Sequence, residues 1–341
     1  EQRVMPELRK DPVLKRWVII ATERASRPND FKKKRDDFPA NQDLSKCPFC
    51  PGNEFMTPPE VLAYRKPGTL ANGPGWWIRV INNKFPALNP EGSLDKKGIG
   101  IYDMMNGVGY HEVLIETEDH FATPLTMPNS QFEEIIWGYR DRIIELSKDV
   151  RIKYVIIFKN HGKGAGASLF HPHSQIIATP IIPAVIKNEI DNAKEYFDLR
   201  DRCLFCDIVT QELGHQDRIV FENNSFIAFC PFASAFPFET WIIPKKHFHR
   251  FEDIDKNHVV DLAQTVKVVF SKLYLLLDNP PFNMMLHTAP PNSNSKEYYH
   301  WHIEIIPRLT EVAGFEWGTG TYINPMLPEK AAIELRKQEI T

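Results

Sequence analysis

Four phrases recur in the same order along this 341-residue chain, and a chain that repeats itself must fold as copies of one unit. Each series starts from a C-x-x-C, at Cys47 and Cys50 and again at Cys203 and Cys206. Asn82 to Pro90 is answered by Asn223 to Pro231. His111 to Ile115, leading to His120, is answered by Glu239 to Ile243, leading to His247. The apolar run Tyr154 to Phe158 is answered by Phe282 to Leu286, and Phe170-His171-Pro172-His173-Ser174-Gln175 by Tyr299-His300-Trp301-His302-Ile303-Glu304. Recurrent strand composition explains one such match; four in register predict two copies of an α+β unit, residues 1–195 and 196–341, joined as one continuous body. Each copy has short strands rich in Val, Ile, Phe and Trp and one amphipathic helix, over 129–148 and 255–277. In the first helix Phe132, Ile135, Ile136, Tyr139, Ile143 and Ile144 fall near helical spacing, and the polar link 180–202 reads as partly helical.

Composition removes several function classes. Lys plus Arg (41) nearly balances Asp plus Glu (44), so the net charge of -3 gives no broad positive field for a nucleic-acid backbone. No apolar run reaches the roughly 20 residues that cross a bilayer, so no membrane role is expected. The basic run Lys32 to Arg35 reads as solvated surface. A cytoplasmic location is expected, although the chain opens at Glu1 without an initiator Met, which leaves room for a removed targeting segment.

Five cysteines, two pairs and a lone Cys230, do not make a disulfide scaffold, and the pairs lack the βαβ context of a redox C-x-x-C. Zinc takes four tetrahedral thiolate and imidazole ligands, commonly two from a C-x-x-C and two histidines delivered by the fold. The first copy offers Cys47, Cys50, His120 and His171; the second offers Cys203, Cys206, His247 and His300, with His249 as a substitute for His247. Two zinc ions per chain are expected. A competing second site would gather Glu189, His287, His300 and His302 around iron or zinc, and both proposals claim His300. His111, His161, His215 and His258 read as ordinary core or surface imidazoles.

Strand alternation puts His171, His173 and Gln175 on one face. Ahead of them the Gly-rich stretch Asn160 to Ser168 offers backbone N–H groups to a phosphate, without the G-x-x-x-x-G-K-[ST] of a P-loop. Nucleophile and anion binder thus lie within one short segment, as covalent phosphoryl chemistry requires. In this reading His173 attacks the α-phosphorus of a nucleotide, the His171 carbonyl fixes its tautomer, and Gln175, Ser168 and Asn160 stabilise the oxygens as charge moves.

These residues resemble the galactose-1-phosphate uridylyltransferase family of the histidine-triad (HIT) superfamily over nearly the whole chain. C-P-F-C-P-G-N-E at 47–54, N-K-F-P-A-L at 83–88, E-D-H at 118–120, F-H-P-H-S-Q at 170–175 and H-W-H at 300–302 stand in the family's order. The resemblance implies a duplicated HIT-like fold, two antiparallel-sheet-plus-helix halves, and a homodimeric nucleotidyltransferase working through a nucleotidyl-histidine on His173. It implies zinc on Cys47, Cys50, His120 and His171, and nucleotide contacts from Asn83, Asn160, Gly166, Ser168 and Gln175. Glu189, His287, His300 and His302 match the iron site of the bacterial enzymes, but the additional Cys203 and Cys206 favour zinc. Ser174 stands where the usual motif has Gly. In Phe315 to Gly320, Thr319 and Gly320 replace the Tyr-Glu that contacts the hexose, leaving Gly318 and Thr319 as the sugar-side candidates. These departures resemble the plant ADP-glucose phosphorylase-like branch, in which an adenylyl group passes to inorganic phosphate. Uridylyl transfer to a hexose 1-phosphate is the second expectation. A HIT-type nucleotide hydrolase and a zinc-stapled nucleotide-binding module without catalysis complete the set.

Overall fold

The computed structural model describes residues 5–24 and 43–340; the basic run Lys32 to Arg35 lies outside them. Ten strands build one antiparallel sheet: β1 (Glu60–Arg65), β2 (Trp76–Asn82), β3 (Tyr110–Ile115), β4 (Tyr154–His161) and β5 (His173–Thr179), then β6 (Ile219–Glu222), β7 (Phe226–Phe229), β8 (Thr240–Pro244), β9 (Phe282–His287) and β10 (His302–Pro307). Their spatial order is β6-β7-β8-β10-β9-β4-β5-β3-β2-β1. Counted outward from the central β9/β4 pair, both sides follow the same chain order, so the duplication written in the sequence is a duplication of topology.

Three of the four repeated phrases fall on matching strands: β3 and β8, β4 and β9, β5 and β10. The Asn-Asn phrase does not. Asn82-Asn83 follows the second strand of the first copy, whereas Asn223-Asn224 follows the first strand of the second copy. Asn tolerates turn backbone and bonds its own chain, so it punctuates either hairpin equally well. Asn83 Oδ1 accepts from the Phe85 N–H at 2.9 Å and Asn223 Oδ1 from the Phe226 N–H at 3.0 Å.

One face of the sheet is covered by α1 (Asn129–Leu146) and α4 (Lys256–Leu277), which pack on each other. Both were expected within two residues of their observed ends. From α1 come Phe132, Ile135, Ile136, Tyr139 and Ile143; Ile144, expected with them, is exposed. From α4 come Val259, Leu262, Val266, Val269, Phe270 and Leu273, at the i, i+3, i+4, i+7 spacing that gives a helix one apolar stripe. They close on Ile78, Leu114, Ile157, Ile176, Ile242 and Ile305, each worth roughly 1.5–3 kcal/mol of burial.

The opposite face is covered unevenly. Over the second copy lie α2 (Ala184–Arg200), which forms the expected helical part of the link and runs through residue 195, and α3 (Leu204–His215). Leu204, Phe205 and Ala193 pack there with Phe229, Trp241 and Tyr299. Over the first copy, among the described residues, the Cys47-Phe49-Cys50 knuckle packs with Leu169 on Trp76, Ile81, Val113 and Ile115. A small separate sheet ties strand Tyr322–Asn324 in parallel to Trp17–Ile20. Among the described residues no helix is long and apolar enough to cross a membrane.

Candidate active site and metal centres

The register Ile115↔His173 and Val113↔Gln175 places His173 and Gln175 on the lightly covered face. Ser174 and Ile176 turn to the helices. His173 Nδ1 lies 2.8 Å from the His171 carbonyl, so Nδ1–H donates and Nε2 keeps its lone pair. Burial pushes the imidazole's pKa down, against the His171 carbonyl bond, so the ring is neutral at pH 7. Phe49 of the knuckle meets the ring edge-on, with centroids 5.3 Å apart. Phe49 was not singled out in the sequence, although it lies inside the C-P-F-C that the metal reading already used.

Beside His173 the Gln175 Oε1 accepts from His111 Nε2 at 2.8 Å, and the Asn83 amide stands 3.1 Å from the same nitrogen. The Ala87 N–H donates to His111 Nδ1 at 3.1 Å, which leaves Nε2 as the protonated nitrogen. His111 was expected to be an ordinary core imidazole. The structure places it between two expected nucleotide contacts, bonded to Gln175 and packed beside the Asn83 amide, and the alternation His111, Val113, Ile115 was the available signal.

Asn160 Oδ1 accepts from Asn283 Nδ2 at 2.8 Å, and the same amide donates to the Ala165 carbonyl at 2.9 Å, pinning the Gly-rich loop to the sheet. Gly162 (φ 78) and Gly166 (φ 88) adopt backbone that side chains resist, and Ser168 is exposed at the loop's end. Gly318 and Thr319 lie on the short helix Gly314–Thr319, which packs on the strand Tyr322–Asn324 of the small sheet. Thr319 Oγ1 is spent on the Phe315 carbonyl at 2.7 Å. The structure therefore gathers His173, Gln175, Asn83 and Asn160 on or at the edge of one sheet and sets Gly318 and Thr319 on a helix packed against the other.

The first Cys/His group is complete. The ligand atoms of Cys47, Cys50, His120 and His171 lie within 4.8 Å of one another. Tetrahedral zinc with bonds near 2.0–2.3 Å sets its ligand atoms roughly 3.3–3.8 Å apart. Here Cys50 Sγ is 3.4 Å from His120 Nδ1 and 3.6 Å from His171 Nδ1, and Cys47 Sγ is 3.8 Å from His171 Nδ1. His171 Nε2 donates to the Thr117 carbonyl at 2.8 Å, which turns Nδ1 to the thiolates. Burial holds that imidazole down to about 4, neutral and able to ligate.

The second group gathers Cys203, Cys206, His247 and His300, with Cys206 Sγ 3.3 Å from His247 Nδ1 and 3.9 Å from His300 Nδ1. His247, not His249, faces the thiolates; its Nε2 donates to the Lys296 carbonyl at 2.6 Å. A third group contains Glu189, His287, His302 and Glu304. The expected rivalry over His300 is thereby removed, because Glu304 takes its place. The reason is strand alternation: His302 and Glu304 share one face of β10, while His300 precedes the strand and turns to the cysteines. In this group His287 Nδ1 is 3.0 Å from Glu189 Oε1, and the Tyr299 hydroxyl donates to Glu189 Oε2 at 2.9 Å. Burial alone lowers His287, and the Glu189 carboxylate overrides it to lift the pKa to about 9.

The family models for the N-terminal and C-terminal domains of galactose-1-phosphate uridyl transferase match residues 1–183 and 189–338. ADP-glucose phosphorylase from Arabidopsis thaliana is 38% identical over 340 residues, covering 98% of this chain and 94% of its own. Galactose-1-phosphate uridylyltransferase from Thermotoga maritima is 31% identical over 345 residues, covering 98% and 99%. A crystal structure of an Arabidopsis thaliana ADP-glucose phosphorylase with bound ADP-glucose superposes with a TM-score of 0.82 at 34% identity, covering 98% of this chain and all of that one. Matches of this extent, on a chain whose two halves build one sheet, make it a member of the galactose-1-phosphate uridylyltransferase family.

Proposed function

We propose that this nucleotidyltransferase moves the adenylyl group of ADP-glucose to inorganic phosphate through His173, giving ADP and glucose 1-phosphate. The observation that carries the reading is His173 with Nδ1 tied to the His171 carbonyl, Nε2 left as a nucleophile, and the amides of Gln175, Asn83 and Asn160 on the same sheet. Nε2 attacks the α-phosphorus, the bond from that phosphorus to the bridging oxygen breaks, and glucose 1-phosphate leaves. A phosphate oxygen then attacks the same phosphorus, the P–N bond breaks, and His173 returns to its neutral form. Gln175, Ser168 and Asn160 donate to the non-bridging oxygens, whereas the N–H groups of Ala165, Gly166 and Ala167 are spent on carbonyls within the Gly-rich loop. Cys47, Cys50, His120 and His171 would hold a zinc ion whose contribution is to fix His171, and with it the carbonyl that orients His173. Cys203, Cys206, His247 and His300 would hold a second one.

Support for adenylyl over uridylyl comes from the 38% relative named ADP-glucose phosphorylase, against 31% for the relative named as a uridylyltransferase. Uridylyl transfer to galactose 1-phosphate is the second reading. The homodimer belongs to the proposal too, since a second copy can present the exposed Gly318 and Thr319 to this site. Mixing the enzyme separately with ADP-glucose and UDP-glucose and weighing the intact protein tests the assignment. An adenylyl adduct lost in His173→Ala supports it, a uridylyl adduct alone supports the second reading, and no adduct with either removes covalent transfer.

A further inference from the structure

Behind His173, on the helix-covered face, sits a polar set that the transfer chemistry does not use. Ser174 Oγ donates to Glu116 Oε1, and the Tyr139 hydroxyl donates to Ser174 Oγ at 2.5 Å. Lys159 Nζ donates to Glu116 Oε2 at 2.5 Å and stands 3.5 Å from the His173 carbonyl. All four side chains are buried, Ser174 completely. A buried Lys–Glu pair recovers only part of its desolvation cost, and apolar residues of similar volume generally hold a fold as well or better. Stability alone gives no reason for it.

The second copy shows the apolar alternative. On the register that pairs Phe158 with Gln175, Lys159 lies across from Ser174. The matching rung of the other copy is Leu286↔Ile303, both in the apolar core. Likewise Ile115↔His173 matches the rung of Ile243 and His302, so Glu116 corresponds to Pro244. The same sheet, under packed helices, thus carries the ion pair behind His173 and plain hydrocarbon behind His302. Ser174 also replaces the Gly of the usual motif, a residue with no side chain to tie down.

We propose that Ser174 is a positioning residue for nucleotidyl transfer: with Glu116, Lys159 and Tyr139 it clamps the backbone on the C-terminal side of His173. The His171 carbonyl sets the rotation of the ring; the clamp sets where the ring stands. Lys159 holds the His173 carbonyl, and Glu116 holds the next side chain through Ser174 while its own N–H bonds the Pro172 carbonyl at 3.0 Å. Nε2 is thereby kept in line with the α-phosphorus without any contact between Ser174 and substrate. The role rests on the transfer reading given above.

The test follows one turnover of wild-type and Ser174→Ala enzyme with ADP-glucose and with UDP-glucose, together with the proton resonance of His173 Nδ1–H in 15N-histidine-labelled protein. At saturating nucleotide sugar, adduct formation in Ser174→Ala should fall about ten- to a hundredfold, the scale of a small misplacement of reacting atoms. The half-saturating concentration should not move, and the His173 resonance should shift or broaden. Ser174→Gly, which writes the usual motif into this chain, should slow it equally. An unchanged rate with an unchanged resonance overturns the proposal, as does a loss confined to half-saturation. If Ser174→Ala fails to fold, the double variant Glu116→Gln/Lys159→Met, which removes both charges at similar volume, decides on the same readouts. Should the wild type accept neither sugar, the transfer reading falls, and the His173 resonance in the variant alone sustains or overturns the clamp.

Discussion

His173 and His302 open matching strands, and each turns Nδ1 to the carbonyl two residues earlier, at 2.8 and 3.2 Å. Each is also preceded by a histidine facing a C-x-x-C. By local geometry either could be a nucleophile. What differs is the surface above them. His302 is fully buried, stacked beneath Trp241 with centroids 4.7 Å apart and planes 20° apart, and shut in by Phe205 at 5.4 Å. His173, buried to 7% exposure, meets the edge of Phe49, and its neighbours His111 and Gln175 stay partly accessible. On the shared register Gln175 corresponds to Glu304, so an amide with the chemistry to donate to phosphate oxygens, the role proposed for it above, stands where the other copy has a carboxylate that repels them. A duplicated skeleton supplies two similarly placed imidazoles; cover and charge are what favour His173 over His302 in the proposed chemistry.

The largest effect therefore separates the two histidines. His173→Ala should abolish the nucleotidyl adduct, slowing turnover by at least about 10⁴-fold, as loss of a covalent nucleophile does. Peptide mapping of the loaded wild type should place the group on His173 and none on His302; label on His302 would break the comparison. Next in size is Gln175→Glu, which installs the second copy's charge in the first. It should cost on the order of 10²–10³ in single-turnover rate, the scale of a lost oxyanion donor. A rate within threefold of wild type would show that charge on this rung is irrelevant.

The paired cysteines divide the halves again. Cys47→Ser and Cys203→Ser should each remove one of the two proposed zinc ions, as read by elemental analysis. The first should also slow adduct formation by about 10- to 100-fold, because His171 is both a proposed zinc ligand and the residue whose carbonyl accepts from His173 Nδ1–H. The second should lower the thermal midpoint while the transfer rate stays close to wild type. Equal kinetic losses in both variants would show that the second centre also bears on the site.

Much of this was legible because it is periodic or chemically costly. The helices followed from apolar spacing, and β3, β4 and β5 with their counterparts followed from strand phrases that must alternate. Paired thiolates have few uses besides metal, which is why Cys203 and Cys206 pointed to His247 and His300. Three things were hidden for three reasons. The Asn-Asn phrase slipped by one strand because a turn signal states that the chain bends, not which strand precedes the bend. His111 passed as a core residue because its role depends on Asn83 and Gln175 meeting it from distant segments. Glu304 was missed because it closes its group only after α2 carries Glu189 over β10.

The smallest expected effect concerns the two sheet-covering helices, equal in function and unlike at their starts. Asp255 accepts the His258 N–H at 3.0 Å and caps α4, whereas α1 begins behind Pro128, which has no side chain to cap with. A free helix end leaves backbone N–H groups without partners, so Asp255→Ala should lower stability by about 1 kcal/mol and Pro128→Ala should cost no capping energy at all. Denaturant titration of both variants measures the gap. Because α4 packs against α1 and both close the apolar core, the Asp255 deficit should appear in a single cooperative transition that moves without changing slope. Two separate transitions, with only the later-copy one shifted, would instead mean that the halves fold independently and that the continuous sheet does not couple them.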